Sequence, residues 1–211
     1  MVAVPSFASV VSAWIPRGTT VRRRRMAAAI LVAMVFPAAG VAGGRDTDTG
    51  GRPMGLRIVS TAFASGGAIP ARYTCDGADI SPELAWSGVP KGAKSLVLVV
   101  DDPDAPDPSA PRMIWVHWVL YNLPPGSRGL AAAITPDALP PGTLPGTNDW
   151  KRAGYGGPCP PVGRHRYFYK LYALDVVLPD LHQPTKAQLE AAMHRHILAQ
   201  AELLGTYQRE R

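Results

Sequence analysis

Two loops of this chain concentrate the side chains that could do chemistry. One reads Asp101-Asp102-Pro103-Asp104-Ala105-Pro106 and is followed by Trp115-Val116-His117-Trp118. The other reads Gly156-Gly157-Pro158-Cys159-Pro160-Pro161-Val162-Gly163-Arg164-His165-Arg166-Tyr167. Stacked prolines fix φ and remove backbone donors, so both loops are stiffer than a connector requires. Carboxylates, imidazoles and an unhindered glycine backbone together make a small polar pocket suited to one anionic or hydroxylated head group. His117, His165, Tyr167 and the backbone at Gly157 can supply donors to a phosphate. Asp102 and Asp104 look wrong for an anion, because like charges ~4 Å apart repel by about 4 kcal/mol at an effective dielectric near 20. They become sensible if each accepts a hydrogen bond from an imidazole or from a head-group ammonium or hydroxyl. A carboxylate then favours imidazolium, imidazolium favours phosphate, and binding tightens as pH falls toward about 6.

Each residue also has a plainer account. Asp102 and Asp104 suit the turn of an Asx-Pro loop. His117 suits a core histidine between tryptophans. Tyr169 and Tyr172 suit strand packing, and Arg164 and Arg166 suit solvated strand-end charges. Nothing beside Cys159 in sequence marks an activated thiol. His194 and His196 stand two apart on an expected helix, where they face different ways and share no metal.

The elements that must position these groups are mostly strands. Leu56 to Ser60 and Ser95 to Val100 are strand-like, the second a continuous apolar run suited to a sandwich interior. Alternation over Ile114 to Tyr121 puts Ile114, Val116, Trp118 and Leu120 on one face and Trp115, His117, Val119 and Tyr121 on the other. In the run from Arg166 to Asp175, Tyr167, Tyr169 and Leu171 share a face with His165 if the strand starts early. Long turn-rich connections between such runs favour an antiparallel β-sandwich. One helix is signalled near the C-terminus: Thr185 and Gln188 form a capping box, Leu189, Met193, Ile197 and Leu204 form the apolar stripe, and Gly205 suits the C′ position.

The N-terminus reads as an export signal over residues 1–42. Arg22 to Arg25 form a basic segment, Met26 to Phe36 a short apolar one, and small residues at Gly40 and Ala42 place cleavage after Ala42. Residues 43–55 read as a flexible linker and 56–211 as one domain. The chain carries 22 basic and 16 acidic residues, a balance of +6. Five of the arginines (Arg17 and Arg22 to Arg25) lie in the leader, so the remainder is near 17 − 16 = +1. No basic stripe with interleaved aromatics survives, which argues against nucleic acid. Cys75 and Cys159 either bridge in an oxidising compartment or stand as separate thiols.

Over roughly residues 56–207 the chain resembles the phosphatidylethanolamine-binding protein family, in particular its bacterial, Raf kinase inhibitor-like branch. The resemblance rests on Tyr73-Thr74-Cys75-Asp76-Gly77 with Ser81-Pro82-Glu83-Leu84-Ala85-Trp86, on Asp102-Pro103-Asp104-Ala105-Pro106 and on His117-Trp118-Val119. It continues through Gly154 to Pro161, His165-Arg166-Tyr167 and Leu171-Tyr172-Ala173-Leu174-Asp175. It implies a mainly β fold, an antiparallel sandwich with a small anion pocket at one end. By motif, the pocket maps onto Asp102, Asp104, His117, Gly157, Pro158, His165 and Tyr167.

The function expected is therefore a non-enzymatic, periplasmic or secreted binding protein for a phosphate-type or phospholipid head group, which could also modulate a protein partner. No cofactor, metal or nucleic acid is expected, and membrane contact is expected only through the leader. Two alternatives compete. Paired carboxylates and histidines are also the kit of a hydrolase, although no Gly-x-Ser-x-Gly or His-Glu-x-x-His motif is present. The Pro/Gly-rich segment from Leu139 to Gly157 could serve a protease- or kinase-inhibitor module. N-terminal sequencing of protein recovered after export should read from Gly43 onward; soluble cytoplasmic protein that keeps Met1 or Met26 would refute the leader.

Overall fold

The computed structural model describes residues 55–210, so the leader and nearly all of the linker fall outside the described residues. The strands are β1 (Arg57–Val59), β2 (Leu84–Ser87), β3 (Ser95–Asp102), β4 (Trp115–Leu123), β5 (Gly129–Leu130), β6 (Leu144–Pro145), β7 (His165–Leu174) and β8 (Ile197–Tyr207). A helix, α1 (Lys186–Met193), lies between β7 and β8. The strands form a three-stranded sheet ordered β1-β2-β5 and a five-stranded sheet ordered β6-β4-β3-β7-β8. Every pairing within the sheets is antiparallel.

The unbroken apolar run of β3 is explained by burial on both faces. Leu96, Leu98 and Val100 point into the core shared with the three-stranded sheet, beside Trp86, Trp118, Tyr167 and Tyr169. Val97 and Val99 point the other way, into a second cluster with Leu189 and Met193 of α1. The helix is held by its capping box at Thr185 and Gln188, as the sequence suggests. Its first residue, Lys186, also reaches the buried Asp101 at 2.6 Å, and Lys170 meets the same carboxylate oxygen at 2.9 Å.

Two sequence expectations fail here. Strict alternation in β4 would group His117 with Val119 and Tyr121, but Val116 takes that place. The ladder pairs Val100 with Trp118 and then Asp101 with Val116, so a β-bulge leaves His117 as the unpaired extra residue. The helix, moreover, stops at Met193 and is not the last element. Ile197 to Tyr207 has a helix-like composition, yet it pairs along nearly the full length of β7. Ladder pairing and burial against β7 outweigh local propensity.

Gly205 accordingly caps nothing. It lies opposite Tyr167 in β8, where a Cβ would stand 2.7 Å from Ile69 and 2.9 Å from Phe63. The glycine is a packing requirement of the sandwich core. Gly205→Ala should therefore cost about 1–3 kcal/mol in urea unfolding through overpacking; an unchanged midpoint would show that the core gives way freely.

Candidate head-group site

The two proline-rich loops meet at one end of the five-stranded sheet, where β3 ends, β4 begins and β7 begins. Asp102 closes β3 and His165 opens β7, both buried, with Nδ1 of His165 2.7 Å from Oδ2 of Asp102. The other oxygen of Asp102 accepts from the backbone N–H of Asp104 at 2.8 Å, the Asx turn expected of this loop. Burial raises the pKa of Asp102, and the hydrogen bond from His165 opposes that shift. Nε2 of His165 faces the carbonyl of Val162 at 3.0 Å. A carbonyl can only accept, so Nε2 carries a hydrogen, and the contact with Asp102 holds one further proton between ring and carboxylate. Both ring nitrogens are thereby engaged.

Asp104 is engaged as well. Its Oδ2 accepts from the backbone N–H and Nε of Arg166, each at 2.9 Å, and its Oδ1 accepts from Nη2 at 2.7 Å. Hydrogen bonding to this guanidinium holds the Asp104 carboxyl below the usual carboxylate range. Arg166 is thus a bound partner of the acidic loop, not the free strand-end charge that its sequence position suggests.

The backbone N–H of Gly157 donates to Oδ1 of Asp79 at 2.6 Å, so it too is spent. A Cβ at Gly157 would lie 2.5 Å from the Tyr73 carbonyl, so its glycine serves the close approach of two loops. Pro158 is buried beside it and accepts from the N–H of Cys75 at 3.1 Å. Cys75 and Cys159 are joined in a disulfide, with Cα atoms 5.4 Å apart.

Two polar atoms at the centre remain open. The ring of His117 lies 5.1 Å from that of Tyr167, nearly perpendicular, and both residues are buried. Nδ1 of His117 donates to the Gly156 carbonyl at 2.7 Å. Its Nε2 and the hydroxyl of Tyr167 are buried without a hydrogen-bond partner among the described residues. Burial lowers the pKa of His117 to about 4 and raises that of Tyr167. Near neutral pH the site therefore presents a bare imidazole nitrogen, an acceptor, beside a protonated phenol. The expectation of four donors and a standing imidazolium is corrected. Desolvation outweighs the attraction of Asp101, Asp79 and Asp149, and Asp102 and Asp104 already have partners.

Several residues that build the site carry little signal in sequence. Trp150 packs on His117 with ring centres 5.1 Å apart, held by a turn in which Thr147 bridges Ala153. Asp149 clasps Val116 from both sides: its N–H donates to the Val116 carbonyl at 3.0 Å, and its carboxylate accepts the Val116 N–H at 2.8 Å. Beside the site lies a cleft of about 940 Å³ bounded by Ile69, Asp76, Pro160, Arg164, Tyr207 and Arg209. None of the residues mapped by motif lines it. Tyr207 and Arg209 are held there by Asp76, at 2.8 and 2.7 Å.

A histidine with a depressed native pKa binds fewer protons folded than unfolded between about pH 4 and 6.5, so its effect on stability is lost as pH falls through that window. Relative to His117→Asn, the unsubstituted protein should lose roughly 2–3 kcal/mol between pH 7 and about 4.5. Urea unfolding at several pH values reads this directly. Parallel curves for the two proteins would show that His117 titrates normally.

The family model described as phosphatidylethanolamine-binding protein matches residues 59–208. A UPF0098 protein of Methanothermobacter thermautotrophicus is 50% identical over 156 residues, covering 73% of this chain and 99% of that protein. A phosphatidylethanolamine-binding protein homolog from Chlamydia trachomatis superposes with a TM-score of 0.68 at 45% identity, covering 74% of this chain and 99% of the other. E. coli YbcL gives a TM-score of 0.67 at 31% identity over 74% of this chain and 100% of its own. An antiparallel sandwich, a motif match spanning the domain and relatives at up to half identity converge on one assignment: the chain belongs to the phosphatidylethanolamine-binding protein family.

Proposed function

We propose that this chain is an exported, non-enzymatic binding protein whose site takes a small phosphate-type or hydroxylated head group. One observation carries the reading: two polar atoms, Nε2 of His117 and the hydroxyl of Tyr167, are buried on adjoining rings with no hydrogen-bond partner among the described residues. A buried polar atom left unsatisfied costs about 1–3 kcal/mol, and a ligand that completes both bonds recovers that penalty. A phosphate monoester suits the pair. Its P–OH donates to the imidazole nitrogen while a phosphoryl oxygen accepts from the phenol. Equivalently, His117 takes up a proton as the anion enters.

Hydrolysis finds less support. Asp102 and His165 resemble the orienting half of a catalytic triad, but Nε2 of His165 faces a carbonyl where a nucleophile would be needed.

This account predicts how pH and substitution act on binding. Calorimetric titration with phosphoethanolamine should show affinity rising as pH falls from about 7 and levelling near about 6, where the monoester gains its own proton, because His117, with a pKa of about 4, is still neutral there. Tyr167→Phe should weaken binding by about 1–3 kcal/mol yet leave stability equal or slightly higher, because it deletes an unsatisfied hydroxyl. Unchanged binding in that variant, or affinity indifferent to pH, would reject the site.

A further inference from the structure

The outer edge of the five-stranded sheet is β8, and one stretch of it is open. Residues 66–69 cover its end: Ala68 bridges Thr206, Gly66 donates to the Leu204 carbonyl at 2.7 Å, and Ile69 donates to that of Thr206 at 2.8 Å. Near its start a bulge falls at Leu198, because Ala173 pairs with Ala199 and Leu174 with Ile197. Between these two features, residues 199–203 pair with β7 on one side, and no strand among the described residues pairs with them on the other. Folded proteins blunt an open edge with proline, lysine, a bulge or a covering segment. This stretch reads Ala-Gln-Ala-Glu-Leu, with neither proline nor lysine and with Glu202 as its single charge.

The surroundings of the edge are apolar on one face and cationic at one end. β1, itself an edge of the three-stranded sheet, packs against β8. Val59, Ser60, Phe63 and Ala64 face Ala201 and Leu203 across a groove of about 420 Å³. Ala199, Ala201 and Leu203 turn toward the core on this side, and Val59 stays 49% exposed. Where β8 begins, Ile197 and Leu198 are also exposed. Leu198 lies against the loop at Gly92, where an added Cβ would stand 3.6 Å from its Cδ1. Lys91 and Lys94 flank that glycine, and Arg195 precedes Ile197 by two residues. All three cations are exposed, and none has an ion pair among the described residues. The acids nearby are engaged: Asp175 meets His196 at 2.8 Å, and Glu190 lies 3.6 Å from Lys186.

An open backbone edge beside an apolar groove, with unmatched cations at one end, fits one kind of partner. We propose that β8 takes up an extended segment of another protein as an added antiparallel strand, and that this segment ends in acidic residues. Its main chain pairs with residues 199–203, its apolar side chains enter the groove beside β1, and its terminal carboxylates meet Lys91, Lys94 and Arg195. Backbone pairing supplies the affinity of such a contact, while side-chain fit and charge supply its selectivity. A second copy of this chain matches less well. Symmetric pairing over residues 199–203 would set Glu202 opposite Gln200 and leave the cations unmatched. The start of β8 pairs with the end of β7, whereas the candidate head-group site lies at the start of β7, so the two sites are independent.

The test uses the full chain and a synthetic peptide, Thr-Val-Thr-Val-Thr-Val-Asp-Asp-Asp, with a control peptide carrying lysine in place of every aspartate. Hydrogen exchange read by NMR should slow by at least about tenfold at the outward amides of residues 199–203 when the acidic peptide is added. Its affinity should exceed that of the lysine peptide by about tenfold, a margin that shrinks with added salt. The double substitution K94E/R195E should remove the margin, while thermal unfolding and phosphoethanolamine titration stay unchanged. Unchanged exchange along residues 199–203, or equal binding of the two peptides, overturns the proposal. Peptide-induced changes confined to His117 and Tyr167 would overturn it as well, because they would place the peptide in the head-group site.

Discussion

The end of the sandwich that carries the candidate site depends on the buried contact between Asp102 and His165. Two ionisable groups have been taken out of water, which costs several kcal/mol per ion unless every polar atom finds a partner. Here each does: both oxygens of Asp102 and both nitrogens of His165 are hydrogen-bonded within the protein. The contact joins the last residue of β3 to the first of β7 and reaches on through Val162 and Asp104 into both proline-rich loops. Arg166 extends the clamp by holding Asp104 in a forked arrangement. The acids and one histidine that look most like ligand groups in sequence therefore serve as fasteners, and the open polar atoms lie on the next residues inward.

This division of labour explains what could be read from the sequence. The sandwich was legible because β3 and β7 have the apolar patterns of doubly and singly buried strands, and the capping box marked where α1 begins. The end of that helix was not, because Ile197 to Leu204 carries no local sign of the ladder it forms with β7. For the site, the residue types were legible and their roles were not. His117 escapes the alternation rule through a bulge, which one strand alone does not announce. His165 loses its availability to Val162, three residues back in the same turn, and to Asp102, and Gly157 to Asp79; the last two partners are fixed only by tertiary structure.

The walls of the site are tied several times over. The loop from Tyr73 to Asp79 is joined to the loop from Tyr155 to Cys159 by the disulfide, by the bond from Cys75 to the Pro158 carbonyl and by that from Gly157 to Asp79. The hydroxyl of Tyr155 adds a bond to the Tyr73 carbonyl at 2.9 Å. Gly156 sits within this bundle, and its carbonyl sets the tautomer of His117. Redundancy of this kind preorganises the imidazole nitrogen.

The strand order β6-β4-β3-β7-β8 also has a consequence in time. β3 and β4 can pair as soon as both are available, but β7 enters the sheet between β3 and β8 from much later in the chain. The bond between Asp102 and His165 closes a separation of 63 residues, and the disulfide one of 84. Contacts so distant slow folding, because chain entropy is lost before they repay it. A chain emerging from a ribosome has no candidate site until β7 has followed. The candidate site is therefore assembled late, because a partly emerged chain lacks the bond between Asp102 and His165.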